Sequence, residues 1–205
     1  MKTVFVNPER CVGCQQCQVA CAVEHSQSKD LYQAVFESPK PRPRIYVAPG
    51  IYLNTAFPNK CRHCDPAPCL EVCPTGAISR NPDMDIVVVD GSKCITCAMC
   101  AMVCPFDVIR YYESAAVKVE KAVALKCDNC IDRQRRGEIP ACVEVCKVSA
   151  LAFGDPNELA KSAAGRLAQV VSIATGALQP ELPRLPANYE AWRKWGEDSG
   201  RMNER

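Results

Sequence analysis

"CDNCIDRQRRGEIPACVEVC", residues 127–146, decides how the rest of the chain is read. Two cysteine pairs separated by a basic loop suit a zinc module of the kind that binds nucleic acid. They suit equally the last four ligands of an iron–sulfur electron path. Taken alone, the stretch leaves both open.

Its neighbours separate the two. The 16 cysteines of the 205-residue chain fall into four sets. Cys11, Cys14, Cys17 and Cys21 are spaced CxxCxxCxxxC. Cys61, Cys64, Cys69 and Cys73 keep the pattern with the middle gap widened to four residues. Cys94, Cys97, Cys100 and Cys104 repeat the first spacing and are followed by Pro105. Cys127, Cys130, Cys142 and Cys146 stretch the middle gap to eleven. Every set opens with CxxC and closes with CxxxC, an internal repeat in which only one loop varies.

The flanks repeat as well. Each opening cysteine follows a basic residue, Arg10, Lys60, Lys93 or Lys126. Solvated loop positions are expected for these four, with tuning of a nearby metal group as the lesser alternative. Strand-like runs precede three of the motifs (Val4–Val6, Ile86–Val89 and Ala122–Leu125), while Ile51–Phe57 is looser. "CPTGAI", "CPFDVI" and "CKVSAL" follow from Cys73, Cys104 and Cys146. The repeating unit is therefore strand, ligand loop, short helical turn, strand, and the fold class is α+β.

Chemistry explains the spacing. A cubane cluster has four irons, each needing one thiolate. CxxCxxC wraps a loop around three of them. The fourth cysteine sits about one helical turn further along, where it can reach the other cluster of a pair, as in two-cluster ferredoxins. Zinc takes a tetrahedron of ligands, usually from two separated CxxC hairpins. Three cysteines in seven residues with a fourth four residues later suit it poorly. A zinc-binding interaction module remains the rival reading.

Composition agrees. Cysteine at this density means a covalent or metal framework, and disulfides need an oxidising compartment. The opening "MKTVFVNPERCVGC" holds no long apolar stretch, and no apolar run approaches the roughly 18 residues of a membrane span. A cytoplasmic protein with reduced thiols and no direct membrane span is expected. The formal charge of +2 counts cysteine as neutral. Sixteen thiolates on four Fe4S4 cores would carry it to about −6. No nucleic-acid surface is supported by that total.

The ligand pattern is accompanied by "KCRHCDPAPCLEVCPTGAI" from Lys60, "KCDNCIDRQRRGEIPACVEVC" from Lys126 and "CQVACAVEHS" from Cys17. On these residues Val4 to Gly154 resembles the four-cluster ferredoxin-type electron-transfer subunits of multisubunit oxidoreductases. That family includes iron–sulfur subunits of molybdopterin enzymes such as dimethyl-sulfoxide reductase and formate dehydrogenase. It also includes the small subunits of carbon-monoxide dehydrogenases, hydrogenases and tungsten aldehyde oxidoreductases. The resemblance implies two interlocked bacterial-ferredoxin-like units, the second inserted in the first. Residues 1–50 with 115–155 would form one, 51–114 the other, and 156–205 a C-terminal arm. It implies four [4Fe-4S] clusters. Cys11, Cys14, Cys17 and Cys146 would hold one, and Cys127, Cys130, Cys142 and Cys21 its neighbour. Cys61, Cys64, Cys69 and Cys104 would hold a third, and Cys94, Cys97, Cys100 and Cys73 the fourth. Ala22 and Lys147 depart from the proline that often follows a closing cysteine, which touches local backbone and not cluster count. The implied partners are a catalytic subunit of the tungsten aldehyde oxidoreductase or carbon-monoxide dehydrogenase type, with a molybdopterin enzyme or hydrogenase as alternative. A ferredoxin or a flavin- or NAD-binding subunit would exchange electrons with the chain.

Little else carries chemistry. No GxGxxG, P-loop, Ser/His/Asp set or carboxylate pair is present, so no catalysis on an organic substrate is expected. His25 and His63 are the only histidines. His63, inside "CRHC", reads as a loop histidine, with a bond to sulfur as the alternative. "DRQRRG", Asp132–Gly137, reads as a solvated loop, with partner docking as the alternative. "SPKPRPR", Ser38–Arg44, should form an extended covering arm. Asn157–Leu178 is Ala-rich and mildly helical, with an interruption expected at Gly165. The tail with Trp192 and Trp195 should pack on another subunit, on a second copy of this chain, or back on its own core.

Overall fold

The computed structural model describes residues 2–50, 55–113, 121–175 and 194–195. The β-branched "TVFV" makes β1 (Thr3–Val6), with Val4 turned into the core. Its partner is β8 (Leu151–Gly154), from the far end of the repeat region. Val4 stands opposite Phe153 and Val6 opposite Leu151. The Asn7 N–H donates to the Ala150 carbonyl at 2.8 Å and extends the tie.

Inside that closure lie three more antiparallel pairs. β2 (Ile45–Pro49) pairs with β3 (Ala56–Lys60), β4 (Ile78–Asn81) with β5 (Ile86–Val89), and β6 (Arg110–Glu113) with β7 (Ala122–Leu125). The strand sought at Ile51–Phe57 therefore sits later, at Ala56–Lys60, and residues 51–54 lie outside the described residues. The other three strands form where the sequence places them.

A short helix carries the third cysteine of each motif: α1 (Gln16–Glu24), which also holds the fourth, α3 (Pro68–Glu71), α4 (Met99–Met102) and α6 (Ala141–Glu144). Two others, α2 (Leu31–Ala34) and α5 (Ile131–Arg135), lie in the loops. Cys17 and Cys21 are four apart on α1 and both buried, because residues i and i+4 share a helix face. The proline-alternating stretch has no regular structure from Lys40 to Pro43 and covers its neighbours as expected. Arg42 lies over the Tyr112 ring at 4.8 Å, and the Arg44 guanidinium pairs with the Asp128 carboxylate.

Sulfur is part of the core. One buried cluster joins Val4, Ile45 and Leu151 to Cys17, Cys21 and Cys142. A second joins Val108 to Cys61 and Cys127. The third joins Ile78, Val87, Ile109 and Val123 to Cys94 and Cys100.

The chain divides into a unit of residues 1–160 and a second of 161–205. Helix α7 (Pro156–Ala174) starts with Pro156 at its first position, and the Asp155 carboxylate accepts from the Asn157 N–H at 2.9 Å. It passes through Gly165 without a break, against the interruption read from the sequence. One glycine costs a helix about 1 kcal/mol relative to alanine, which eighteen other helical residues outweigh. Leu167, Val170 and Val171 form an exposed apolar stripe on it. Most of the Trp-bearing tail lies outside the described residues, and Trp195 is exposed.

Ile45, 1% exposed among the cysteines of the first and fourth motifs, is expected to matter most for this packing. Ile45→Ala should lower stability by about 2–5 kcal/mol, whereas Val170→Ala on the exposed stripe should change it by less than about 0.5 kcal/mol. Anaerobic denaturant unfolding, followed by loss of visible cluster absorbance, measures the difference.

Candidate metal centres

The repeat visible in the sequence recurs in the backbone. The third residue of every opening CxxC is left-handed: Gly13 (φ 69°), His63 (52°), Thr96 (60°) and Asn129 (57°). Only the glycine adopts this freely, and the other three are held there by their surroundings. At the first position a side chain would also crowd Ala56, whose Cβ lies 3.3 Å from an added Cβ on Gly13. The turn aims backbone N–H groups at sulfur. The His63 N–H donates to Cys61 Sγ at 3.4 Å, and the Asn129 N–H to Cys127 Sγ at 3.3 Å. Three residues after the closing cysteines, Gly76, Asp107 and Ser149 are left-handed too. Further donors come from elsewhere: Arg44 N–H to Cys21 Sγ at 3.2 Å and Ala124 N–H to Cys94 Sγ at 3.4 Å. The Tyr111 hydroxyl lies 3.1 Å from Cys100 Sγ.

The thiols gather in fours, and each four draws on two motifs. Burial pushes the Cys17 thiol up to about 11, and Cys11, Cys14 and Cys146 beside it push the same way. Burial likewise raises Cys21, with Cys127 and Cys130 adding to it. Cys142 is raised by burial and then by Cys127, Cys21 and Cys130. Cys61, Cys64, Cys69 and Cys104 line one cavity with Phe106 and Val108. Cys73, Cys94, Cys97 and Cys100 line another with Ile78 and Tyr111. In each four, three sulfurs come from one motif and the fourth is the closing cysteine of its partner motif.

These fours adjoin one another in a row. Cys17, Cys21 and Cys142 share one apolar cluster, linking the first two. Cys61 and Cys127 share the next, and the Cys127 thiol feels the charge of Cys61. Cys69 feels Cys100, which joins the third to the fourth. At the two ends Cys14 and Cys97 are exposed, while most sulfurs between them are buried.

Crowded, buried thiols resist ionising beside one another, yet metal binds thiolate. Four thiolates in one apolar pocket are stable only around a cationic core. An iron–sulfur cubane, soft and needing four sulfurs, fits these donor sets.

Two of the four basic residues are not solvated, contrary to the sequence reading. Lys60 is 0% and Lys126 3% exposed, whereas Arg10 and Lys93 face solvent. The Lys60 Nζ donates to the Cys61 carbonyl at 3.0 Å, and the Lys126 Nζ to the carbonyls of Val87 and Cys127. Both precede cysteines of the cluster in which Cys61, Cys127 and Val108 meet, and their side chains are covered there. His63 is no ordinary loop histidine either. It is buried, and its Nδ1 accepts the Val87 N–H at 3.2 Å. Burial, and then the charges of Lys126 and Lys60, drive it down to about 2, so it is neutral.

His25, Asp128 and Cys130 place their ligand atoms within 4.8 Å of one another. The Asp128 carboxylate is already shared, however, between His25 Nε2 at 3.1 Å and Arg44. Burial alone would raise Asp128, but the His25 hydrogen bond and the Arg44 charge hold it well below the usual carboxylate range. This triad is a strut between α1, the proline-rich arm and the fourth motif. Most of the basic loop is solvated, as read: Asp132, Arg135, Arg136 and Gly137 are exposed. Arg133 is the exception, bonding Glu24 at 3.2 Å and Glu144 at 2.6 Å.

Comparison with known proteins agrees with this geometry. Residues 53–156 match a 4Fe-4S dicluster domain, and residues 10–88 match a second 4Fe-4S dicluster domain. An iron-sulfur protein of Rhodospirillum rubrum is 38% identical, over 74% of this chain and 81% of its own. The electron transport protein HydN of Escherichia coli K12 is 38% identical, over 76% of this chain and 89% of its own. One polypeptide of the anaerobic dimethyl sulfoxide reductase of Escherichia coli K12 is 35% identical, over 82% of this chain and 80% of its own. With domains of this kind spanning all four cysteine sets and relatives that move electrons for oxidoreductases, the chain belongs to the 4Fe-4S dicluster-domain family, as a non-catalytic electron-transfer subunit that carries four [4Fe-4S] clusters.

Proposed function

We propose that this chain conducts single electrons along the row of four sites, between a catalytic subunit at one exposed end and a redox partner at the other. Cys11, Cys14, Cys17 and Cys146 hold the first site, and Cys21, Cys127, Cys130 and Cys142 the second. Cys61, Cys64, Cys69 and Cys104 hold the third, and Cys73, Cys94, Cys97 and Cys100 the fourth. The observation that carries this reading is the grouping itself: each four is three sulfurs of one motif and the closing sulfur of another. Such exchange locks motifs 1 and 4 into one ferredoxin-like unit and motifs 2 and 3 into another inserted between them. The β1–β8 pairing, which closes around everything between, supports that nesting.

A bound [4Fe-4S] cluster supplies a reversible one-electron couple. The chain's residues do the remainder. They ligate through sulfur, exclude water with Val108, Phe106 and Ile78, and tune the sites through N–H and hydroxyl bonds to sulfur. For the catalytic partner, the likeness to a polypeptide of dimethyl sulfoxide reductase favours a molybdopterin enzyme. A tungsten aldehyde oxidoreductase, a carbon-monoxide dehydrogenase or a hydrogenase is the other reading, carried by the family resemblance. The stripe of Leu167, Val170 and Val171 is the surface on which another chain, catalytic subunit or second copy, would cover α7. The setting is cytoplasmic.

Anaerobically purified protein should contain about 16 iron atoms per chain, four for each of four cubanes. Stoichiometric zinc without iron would sink this reading. Identification of the subunits that co-purify settles the class of the catalytic partner.

Cys142→Ala should remove the second site and lower iron to about 12 per chain. The EPR signals of the third and fourth sites should persist. Loss of all four signals together would contradict separate units.

A further inference from the structure

Two buried lysines, Lys60 and Lys126, make no ion pair with a carboxylate among the described residues. An ammonium out of water is costly unless an opposite charge compensates it. The Nζ atoms of Lys60 and Lys126 donate to the backbone carbonyls of Cys61, Val87 and Cys127. Among the described residues, every ion pair involves some other cation. His63, whose Nδ1 accepts the Val87 N–H, carries no negative charge in any form found in proteins. The Asp128 carboxylate, next to Cys127, is held by His25 and Arg44. What remains at hand is thiolate sulfur.

We propose that Lys60 and Lys126 are crossed counter-charges: each follows the chain into one inner site but places its ammonium against the other, and together they raise the reduction potentials of the two inner sites above those of the outer two. The proposal rests on the ligand sets given above. Crossing follows from the fold. Cys61 and Cys127 share one small apolar cluster with Val108, so the backbone entering either site runs beside the other. The surroundings agree. Lys126 lines the cavity that holds Cys61, Cys64, Cys69 and Cys104, and bonds the Val87 carbonyl in its wall. Lys60, 0% exposed, adjoins Cys61, which packs against Cys127 and Val108. β5 fixes the arrangement, since Val87 accepts from Lys126 through its carbonyl and donates its N–H to His63.

The outer sites provide the contrast. Arg10 and Lys93 occupy the same place in the repeat, but Arg10 is exposed and Lys93, 61% exposed, is drawn to Asp90 at 3.8 Å. Solvent screens those charges. Arg62, stacked between Phe57 and Phe106, adds a third cation near Cys61 and Cys127, half-buried and so more screened than the lysines. Reduction takes one electron from the redox partner and adds one negative charge to a site, with no bond made or broken. A fixed cation in a low-dielectric setting therefore stabilises the reduced form. The inner pair becomes the resting place of the electron, and the outer pair its two steps to the surface.

The test is a redox titration of the anaerobically purified full chain, followed by EPR. The inner signals are assigned by their selective loss in Cys142→Ala and in Cys69→Ala. If those losses are not selective, the ligand sets fail, and that failure is visible before any lysine is changed. Lys60→Gln should weaken reduction of the Cys142-dependent site about tenfold or more, equivalent to about 59 mV for one electron. Lys126→Gln should do the same to the Cys69-dependent site. The outer sites should move by less than about twofold, and Lys60→Arg and Lys126→Arg should stay near wild type. Unmoved inner potentials with full iron, or equal shifts at all four sites, would overturn the proposal. Where a Gln variant loses iron, Arg and Met replacements decide. Iron kept with Arg and lost with Met supports a charge requirement. Iron lost with both shows a steric role and overturns it. Iron kept with both returns the decision to the potential of the Met variant.

Discussion

Thiolates repel, and this chain crowds sixteen cysteines into one small unit. Burial and mutual repulsion raise the thiols of Cys17, Cys21 and Cys142, so the gathered state needs a cationic core at each four. The remaining architecture leans on that need. All of the apolar clusters contain cysteines, and the strands run to four or five residues in two-stranded ladders. Ladders so short are marginal by themselves. Metal binding and folding are therefore coupled, because ligation gathers the residues that also make the core.

Exchange of the closing cysteine links this constraint to topology. On the proposed ligand sets, α1 serves two sites at once, Cys17 facing one and Cys21 the next, one helical turn apart. In the other motifs the short helix holds the third cysteine, and the closing cysteine follows two residues beyond its end. Two neighbouring sites are thus held at a distance set by a helical turn, the most rigid spacer a short chain offers. The join between units uses no such spacer. It relies on direct packing of Cys61, Cys127 and Val108, and there the chain has buried two lysines.

The repeat, the α+β class and three of the four lead-in strands were legible because ligand spacing and β-branched runs are local signals. The fates of the basic residues were not. Arg10, Lys60, Lys93 and Lys126 look alike in the sequence, and only the packing of motif 2 against motif 4, at Cys61, Cys127 and Val108, separates buried from exposed. His63 misled for a similar reason: its Val87 partner lies on β5, 24 residues further on. Nor does any pattern link Tyr111 to Cys100, a contact made when the strand after the third motif folds back on it, or Asp128 to His25 and Arg44, which lie far apart in the chain. Gly165 errs in the opposite direction, a local breaker signal overruled by a long, well-capped helix.

A conduit must be insulated along its middle and bare at its ends, and one repeat produces both states here. The second cysteine of each motif makes the point. In motifs 1 and 3 it is Cys14 and Cys97, both exposed, and in motifs 2 and 4 it is Cys64 and Cys130, half-buried and buried. Apolar side chains surround the bare ends: Val12 near Cys14, with Ile95 and Met102 near Cys97, all more than half exposed. A partner covering either end would desolvate the site it meets and bury apolar surface in the same step. On the proposed ligand sets the inner sites would exchange electrons only with their neighbours, so their potentials could be set by fixed charge without regard to any docking surface. The packing of motif 2 against motif 4, not the sequence of either motif, is what separates covered copies from bare ones.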